Sequence, residues 1–161
     1  MKIFSTNIPE VLVLEPDVYV DDRGYFMETF RSSLFKERDM KSDFVQDNQS
    51  SSKKGTLRGL HYQLQSPQGK LVRVISGEVF DVAVDLRKSS NTFGAWVAEI
   101  LSAENKRQLW VPPGFAHGFL VLSDHAEFSY KCTEYFNPND EHILLWSDAK
   151  IGIDWPVANL D

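Results

Sequence analysis

Cysteine is almost absent from this chain of 161 residues, since Cys132 is the only one. A single thiol excludes an internal disulfide and a zinc site built from several cysteines. Cys132 lies in a strand-like run, where packing is its expected role. No apolar run reaches the roughly 20 residues that a membrane span needs, and the first residues lack the apolar core of a signal peptide. The sequence therefore predicts a cytoplasmic protein.

Basic side chains are also scarce. Lys and Arg number 17 against 23 Asp and Glu, which gives a formal net charge of -6. This balance argues against a general nucleic-acid binder, whose affinity depends on a basic surface. It leaves room for a small anionic ligand held by a few converging cations. The hydrophobic content of 42% is that of a globular protein, and the length predicts a single domain over residues 1–161.

Helical periodicity is rare in this sequence, and Ser32–Lys41 is the one short candidate helix. Short apolar or alternating runs separated by Gly, Pro, Asn and Asp predict an all-β protein, either a sandwich or a small barrel. The predicted strands are Val11–Leu14, Val18–Val20, Leu71–Ile75, Val79–Leu86, Trp96–Leu101, Leu109–Val111, Phe119–Leu122, Glu127–Tyr135 and Ile143–Trp146.

Two predicted strands alternate in a way that leaves their polar residues open to two interpretations. In Val79–Leu86 the aspartates Asp81 and Asp85 share one face, opposite a wholly apolar one. Either that face is in solvent, or it lines a polar cavity inside a barrel. In the strand near residue 130, Tyr130 and Cys132 share a face with Glu134, so this strand could also contribute polar groups to such a cavity.

The segment Leu57–Gln63 combines a guanidinium, a glycine and an imidazole. Arg58 and His61 stand an odd number of positions apart, so a flat strand would direct them to opposite faces. Gly59 could supply a bend or bulge that turns both toward one cavity. Arg suits an anionic ligand and His can exchange a proton near neutral pH, although a single strand histidine can equally be structural.

A second segment, Pro112–Phe119, contains the pattern P-x-G-x-x-H, with His117 where a strand should begin. This pattern resembles the second motif of the cupin jelly roll, whose His often binds a metal. The first metal-binding motif needs a H-x-H pair, whereas His61 is followed by Tyr62 and Gln63. The sequence therefore favours a metal-free cupin over a metal-dependent cupin oxygenase.

Six segments in order resemble the dTDP-4-dehydrorhamnose 3,5-epimerase family of the cupin superfamily. They are Asp22–Phe26, Phe44–Asn48, Leu57–His61, Gly69–Arg73, Gly77–Asp85 and Pro113–Phe119. The resemblance runs from about residue 3 to Pro156. It implies a cupin-type antiparallel jelly-roll β-barrel, no cofactor, and C3 and C5 epimerisation of a dTDP-4-keto-6-deoxy sugar in dTDP-L-rhamnose synthesis. It also implies a homodimer in which the N-terminal region, including Arg23, reaches the partner's site.

The same resemblance implies three catalytic roles that suit the residue types. Inverting a carbon beside a ketone requires removal of a weakly acidic proton, stabilisation of the enolate, and return of a proton to the opposite face. His61 matches the general base, and Lys70 matches the cation that stabilises the enolate oxygen. Tyr130 matches the acid, and its phenol is comparable in acidity to an enol.

A wider set of residues matches the family's substrate contacts. Phe136 stands where the family has an aromatic that stacks on thymine, and Phe in place of the more familiar Tyr keeps the ring but loses a hydroxyl. The predicted substrate-binding residues are Arg23, Glu28, Gln46, Asp47, Asn48, Arg58, His117, Phe136 and Glu141.

One departure from the family concerns the carboxylate that pairs with the catalytic histidine. The family usually continues past the region of Pro156 into a tail with a Lys-Asp pair, and its Asp takes this role; no such pair follows Pro156 here. We expect either a tail outside the given sequence or a substitute, with Asp81 and Asp85 as candidates. A 3-epimerase, a sugar-nucleotide ketoisomerase and a nonenzymatic sugar-nucleotide-binding module remain alternatives.

Overall fold

A computed structural model describes residues 1–38, 40 and 43–156 of the chain. In chain order the elements are β1 (Lys2–Ser5), β2 (Leu12–Glu15), β3 (Val18–Asp21), β4 (Gly24–Met27), α1 (Ser32–Lys36), β5 (Gln46–Lys53), β6 (Leu57–Gln63), β7 (Lys70–Ser76), β8 (Glu78–Asp85), β9 (Trp96–Ser102), β10 (Gln108–Val111), β11 (Phe115–Val121), β12 (His125–Cys132) and β13 (Glu141–Ile143). None of the helical structure in the described residues is long and apolar enough to cross a membrane.

Two antiparallel sheets build the body of the molecule. The larger has six strands in the order β1-β2-β10-β7-β12-β5, and the smaller has five in the order β13-β6-β11-β8-β9. Neighbours in each sheet are often distant in sequence, as when β7 lies between β10 and β12. This arrangement is an antiparallel jelly roll, so the predicted fold class is confirmed. Strands β3 and β4 form a separate hairpin.

The main core lies between the two sheets, and β8 shows how the sequence produces it. Val79 and Ala83 belong to the inner cluster of buried side chains. Val82 and Val84 belong to a second cluster, which Trp155 and other residues of the C-terminal segment cover. Each fully buried valine stabilises the fold by about 1.5–3 kcal/mol relative to exposure. Both faces of β8 are therefore buried, and its apolar run needs no solvent-facing side.

Several predicted boundaries differ from those of the structure. The helix ends at Lys36, whereas Lys41, its predicted end, lies outside the described residues. Strand β11 begins at Phe115 because the preceding Gly114, with φ of 90°, completes the turn. His117 is therefore inside the strand. Strand β12 ends at Cys132, before the predicted Tyr135.

The C-terminal strand and a polar edge strand also departed from expectation. Strand β13 covers Glu141–Ile143 rather than Ile143–Trp146. Strand β5, with the sequence QDNQSSSK, carries no apolar alternation and was not predicted. It forms because β12 pairs with it along its whole length, a long-range interaction that overrides weak local propensity.

Candidate active site

A cavity of about 620 Å³ opens between the two sheets and is lined by side chains from both of them. This volume is within the usual range for a small-molecule site. The five-stranded sheet contributes Arg58, His61 and His117, and the six-stranded sheet contributes Lys70 and Tyr130. Most of the predicted catalytic and substrate-binding residues therefore lie around one space.

An irregularity in β6 turns both Arg58 and His61 toward this cavity. His117 pairs with His61 and Phe119 pairs with Arg58, so the register shifts by one residue between them. Gly59 has φ of 119°, and a Cβ there would lie 2.6 Å from the Gly118 Cα. Only glycine tolerates that conformation and that close approach. The predicted role of Gly59 is confirmed.

His61 presents one edge of its imidazole to the cavity and the other to a carboxylate. Its side chain is 41% exposed, and its Nδ1 lies 3.0 Å from Glu141 Oε1. The two groups are close enough for an ion pair, but His61 Nδ1 makes no hydrogen bond of good geometry. Burial lowers the pKa of His61, and the charge of Glu141 opposes that shift. The neutral, basic form is therefore favoured near pH 7.

Lys70 and Tyr130 lie across the cavity from His61, on the other sheet. Lys70 is only 8% exposed, and burial lowers the pKa of its ammonium. Among the described residues, no carboxylate lies within ion-pair distance of it. Burial raises the pKa of the Tyr130 phenol, so this side chain keeps its proton. The imidazole of His61 on one wall thus faces a phenol and a buried amine on the other.

His117 is held by a buried carboxylate. Its Nε2 lies 2.8 Å from Asp81 Oδ1, and both side chains are almost inaccessible to solvent. Burial raises the pKa of Asp81, although His117 and Lys70 act in the opposite direction. Of the two interpretations of this strand, the structure therefore supports an inward-facing Asp81. Its hydrogen-bond partner is His117 rather than His61.

The mouth of the cavity is built by polar contacts between neighbouring strands. Arg58 Nε donates to Ser52 Oγ at 2.9 Å, which holds the guanidinium at the rim. Gln46 Nε2 donates to Asn48 Oδ1 at 3.0 Å, and Gln46 Oε1 accepts the Phe136 backbone N–H at 2.9 Å. These contacts place the half-exposed Phe136 ring beside the two amides.

Besides the buried Asp81, four predicted residues do not line this cavity within the chain. Asp47 alternates to the outer face of β5, where its carboxylate pairs with Lys131 at 2.8 Å, and its substrate contact stays a prediction. Asp85 is bound by Arg87 at 2.7 Å and not by His61. Arg23 and Glu28 lie in or beside the β3–β4 hairpin, where they pair with Asp21 and Arg31.

Gln63 is a cavity residue that the sequence analysis missed. Its amide donates to the Ser66 and Tyr135 carbonyls at 2.8 and 3.2 Å and accepts the Asn137 N–H at 2.9 Å. It thereby joins the two loops at the mouth. The signal was its position two residues after His61, which places both on one face of a strand. No group of three or more His, Cys, Asp or Glu in the described ranges is arranged to hold a metal.

An antiparallel jelly roll with a polar cavity between its sheets is typical of the cupin class. Comparison with known proteins identifies the family within that class. A family model described as dTDP-4-dehydrorhamnose 3,5-epimerase matches residues 5–161. A protein of that name from Shigella flexneri is 60% identical over 161 residues, covering 99% of this chain and 89% of that protein. One from Neisseria gonorrhoeae is 59% identical over 157 residues, but this chain, 98% covered, spans only 48% of its length.

A solved structure gives the same result. The epimerase of Legionella pneumophila, in complex with dTDP-4-keto-L-rhamnose, superposes with a TM-score of 0.95 at 55% identity. The match covers 97% of this chain and 84% of the other. The chain belongs to the dTDP-4-dehydrorhamnose 3,5-epimerase family, and it is an isomerase.

Proposed function

We propose that this cavity inverts C3 and C5 of dTDP-4-keto-6-deoxy-D-glucose and produces dTDP-4-keto-L-rhamnose, a step in dTDP-L-rhamnose biosynthesis. The observation that carries the proposal is the arrangement of three side chains. A half-exposed His61 imidazole on one sheet faces the protonated Tyr130 phenol and the buried Lys70 ammonium on the other. Family membership and the ligand of the Legionella relative point to the same chemistry.

The reaction is a proton exchange at a carbon beside the C4 ketone. His61 removes the proton from C3 or C5, and the C–H electron pair moves into the enolate, which places negative charge on the C4 oxygen. The Lys70 ammonium stabilises that oxygen, and its electrostatic effect is large because Lys70 is almost inaccessible to water. Tyr130 then donates its proton to the opposite face of the same carbon, which inverts it.

The rim residues suit the sugar nucleotide. Arg58 is a cation beside the cavity and suits the diphosphate, while His117 lies deeper and suits the sugar. The amides of Gln46 and Asn48 can recognise the nucleotide end. The exposed ring of Phe136 can stack on thymine, and Glu141 lies within reach of the sugar.

We further propose that the working enzyme is a cytoplasmic homodimer. Arg23 and Glu28 lie outside the cavity of their own chain, and a partner could supply both. The β3–β4 hairpin carries Tyr19, Val20 and Phe26, which are 66%, 78% and 71% exposed. An apolar patch of this kind typically marks a protein interface.

The deciding experiment is incubation of the purified protein with dTDP-4-keto-6-deoxyglucose in deuterated water, followed by NMR. We expect deuterium at both C3 and C5, together with inverted product. Deuterium and inversion at C3 alone would indicate a 3-epimerase. Tight nucleotide binding without any exchange would instead indicate a binding module and contradict the proposal.

A further inference from the structure

The side-chain amide of Gln63 holds the backbone on both sides of Phe136. Its Nε2 donates to the Tyr135 carbonyl at 3.2 Å, and its Oε1 accepts the Asn137 N–H at 2.9 Å. These two backbone groups belong to the peptide units that precede and follow Phe136. One amide therefore fixes both ends of a residue whose ring stands at the mouth of the cavity.

A second glutamine holds Phe136 from the opposite sheet. Gln46 Oε1 accepts the Phe136 N–H at 2.9 Å. Gln46 begins β5 of the six-stranded sheet, whereas Gln63 ends β6 of the five-stranded sheet. Phe136 itself lies between β12 and β13. Its backbone is therefore held by side chains that bridge the two walls of the cavity, and not by strand pairing.

Gln63 is suited to anchoring rather than to direct contact with a ligand. The residue is only 5% exposed, and its Nε2 also donates to the Ser66 carbonyl at 2.8 Å. Both N–H donors of the amide are therefore used within the protein. Phe136, by contrast, is 49% exposed and lines the cavity. The buried amide can thus act on a ligand through the ring that it positions.

The loop that carries Phe136 has a second attachment at its far end. The carboxylate of Asp140, which is 5% exposed, accepts the backbone N–H groups of residues 64–66 at 2.9–3.1 Å. This attachment is independent of Gln63. Loss of the Gln63 amide should therefore loosen the stretch around Phe136 without detaching the whole loop.

We propose that Gln63 is a positioning residue for Phe136 and thereby sets the affinity for the nucleotide end of the substrate. The inference rests on the proposed function in that it takes the Phe136 ring as the surface on which the base stacks. A ring that is already held in place loses less conformational entropy on binding than a mobile one. Although Gln63 is two residues from His61, its role is in binding and not in proton transfer.

The binding test uses Gln63→Met, which keeps the length of the side chain and removes its three hydrogen bonds. We expect thymidine diphosphate to bind about tenfold more weakly by calorimetry, because stacking of a base on an aromatic ring has an effect of that size. KM should rise as well, while kcat stays within about twofold of the native value. A fall in kcat with unchanged affinity would overturn the proposal.

A double-mutant cycle with Phe136→Leu shows whether Gln63 acts through the ring. Phe136→Leu alone should weaken the binding of thymidine diphosphate. Adding Gln63→Met to it should weaken binding by less than about a further twofold, because the ring that Gln63 positions is gone. Fully additive losses would mean that Gln63 affects the ligand independently of Phe136, which would overturn the proposal.

Two controls separate this role from a general loosening of the protein. Gln68→Met removes a hydrogen bond of 2.9 Å to the Glu134 carbonyl, in the same loop but two residues before Phe136. It should weaken binding much less than Gln63→Met does. Asp85→Asn lowers stability away from the cavity and should bind normally per folded molecule. If either control weakened binding as much as Gln63→Met, the assignment would be wrong.

Amide hydrogen exchange in the native protein tests the inference even if Gln63→Met fails to fold. Asn137 lies between β12 and β13, so protection of its N–H depends on Gln63 Oε1. We expect this N–H to exchange more slowly than in an unfolded peptide, and unprotected exchange would overturn the proposal, as would a native protein that does not bind thymidine diphosphate. Failure of the proposed epimerisation would appear separately, as binding without deuterium at C3 or C5.

Discussion

Strand β8 carries two fully buried carboxyl groups, Asp81 and Asp85. Their pKa values are shifted in opposite directions. Asp85 lies at the end of the strand, where Arg87, Ser90 and Thr92 all donate to it. Burial would raise its pKa, but these hydrogen bonds together hold the pKa well below its usual range. Asp81 lies behind the cavity wall, where its side chain is hydrogen-bonded to His117, a lining residue, and burial raises its pKa.

The difference shows that the donors around a buried carboxylate, rather than burial alone, decide what it can do. Asp85 is fully satisfied and joins the end of β8 to the following turn, so its role is structural. Burial disfavours the charged form of Asp81, which lies beside a histidine that lines the cavity. A buried carboxyl group with a shifted pKa beside a cavity is typical of functional sites.

The largest effect on activity is expected at Lys70, another buried ionisable residue, which lines the cavity from β7. Lys70→Met keeps the apolar stem and removes the ammonium. We expect kcat to fall by about two orders of magnitude or more, the usual result when an oxyanion-stabilising group is lost, with a smaller change in KM. Steady-state kinetics measures both, and an increase in KM alone would make Lys70 a substrate contact.

The same Lys70→Met variant should be more stable than the native protein. Burial lowers the pKa of Lys70 below its ordinary value of 10.5, so the fold disfavours its charged form. This cost falls as pH rises through the pKa of the folded state toward the unfolded value. The difference in melting temperature between Lys70→Met and the native protein should therefore become smaller at alkaline pH. An unchanged difference would show that burial of the Lys70 charge is not its cause.

For Asp85, the carboxylate with many donors, the Asp85→Asn change should affect stability rather than catalysis. The change breaks a buried ion pair and several hydrogen bonds, so we expect a loss of about 2–4 kcal/mol in the free energy of unfolding. Because the pKa of Asp85 is lowered in the fold, its contribution is present above the unfolded value of 3.8 and lost as pH falls below it. Denaturant unfolding at several pH values measures this, and kcat of the folded enzyme should change little.

The smallest effect on stability is expected for Asp81→Asn. Because burial raises the pKa of Asp81 above 3.8, the charged form is disfavoured, and a neutral replacement should leave unfolding within about 1 kcal/mol of the native value. The sign of its pH dependence is opposite to that of Asp85. The relative stability of the variant should increase as pH rises from 3.8 through the folded pKa. Equal losses in the free energy of unfolding for Asp81→Asn and Asp85→Asn would contradict the contrast between the two carboxyl groups.

Much of the fold could be predicted from sequence because strands such as β8 carry their pattern locally. The polar strand β5 could not, since it depends on pairing with β12. Gly59 indicated that Arg58 and His61 could share a cavity, although a structural role for His61 stayed open at that point, and the bulge at Gly59 confirms the first interpretation. The ion pair of Asp47 with Lys131 on the outer face of β5 was not predicted, because a motif does not state which side chains alternate outward.

The partners of the buried groups were beyond sequence reasoning. Nothing local indicates that Asp81 meets His117 or that Glu141 meets His61, because these contacts join strands 36 and 80 residues apart in the chain. Asp85 could have been interpreted better. Arg87, Ser90 and Thr92 follow it within seven positions and are the expected partners for an aspartate at a turn.

The most direct test compares His61→Asn with Asp85→Asn in deuterated water, with exchange at C3 and C5 scaled to the amount of folded protein. We predict that His61→Asn loses at least about two orders of magnitude in exchange rate while it still binds thymidine diphosphate. Asp85→Asn should exchange at nearly the native rate per folded molecule. Near-native exchange in His61→Asn, or an equal loss in both variants, would contradict the account.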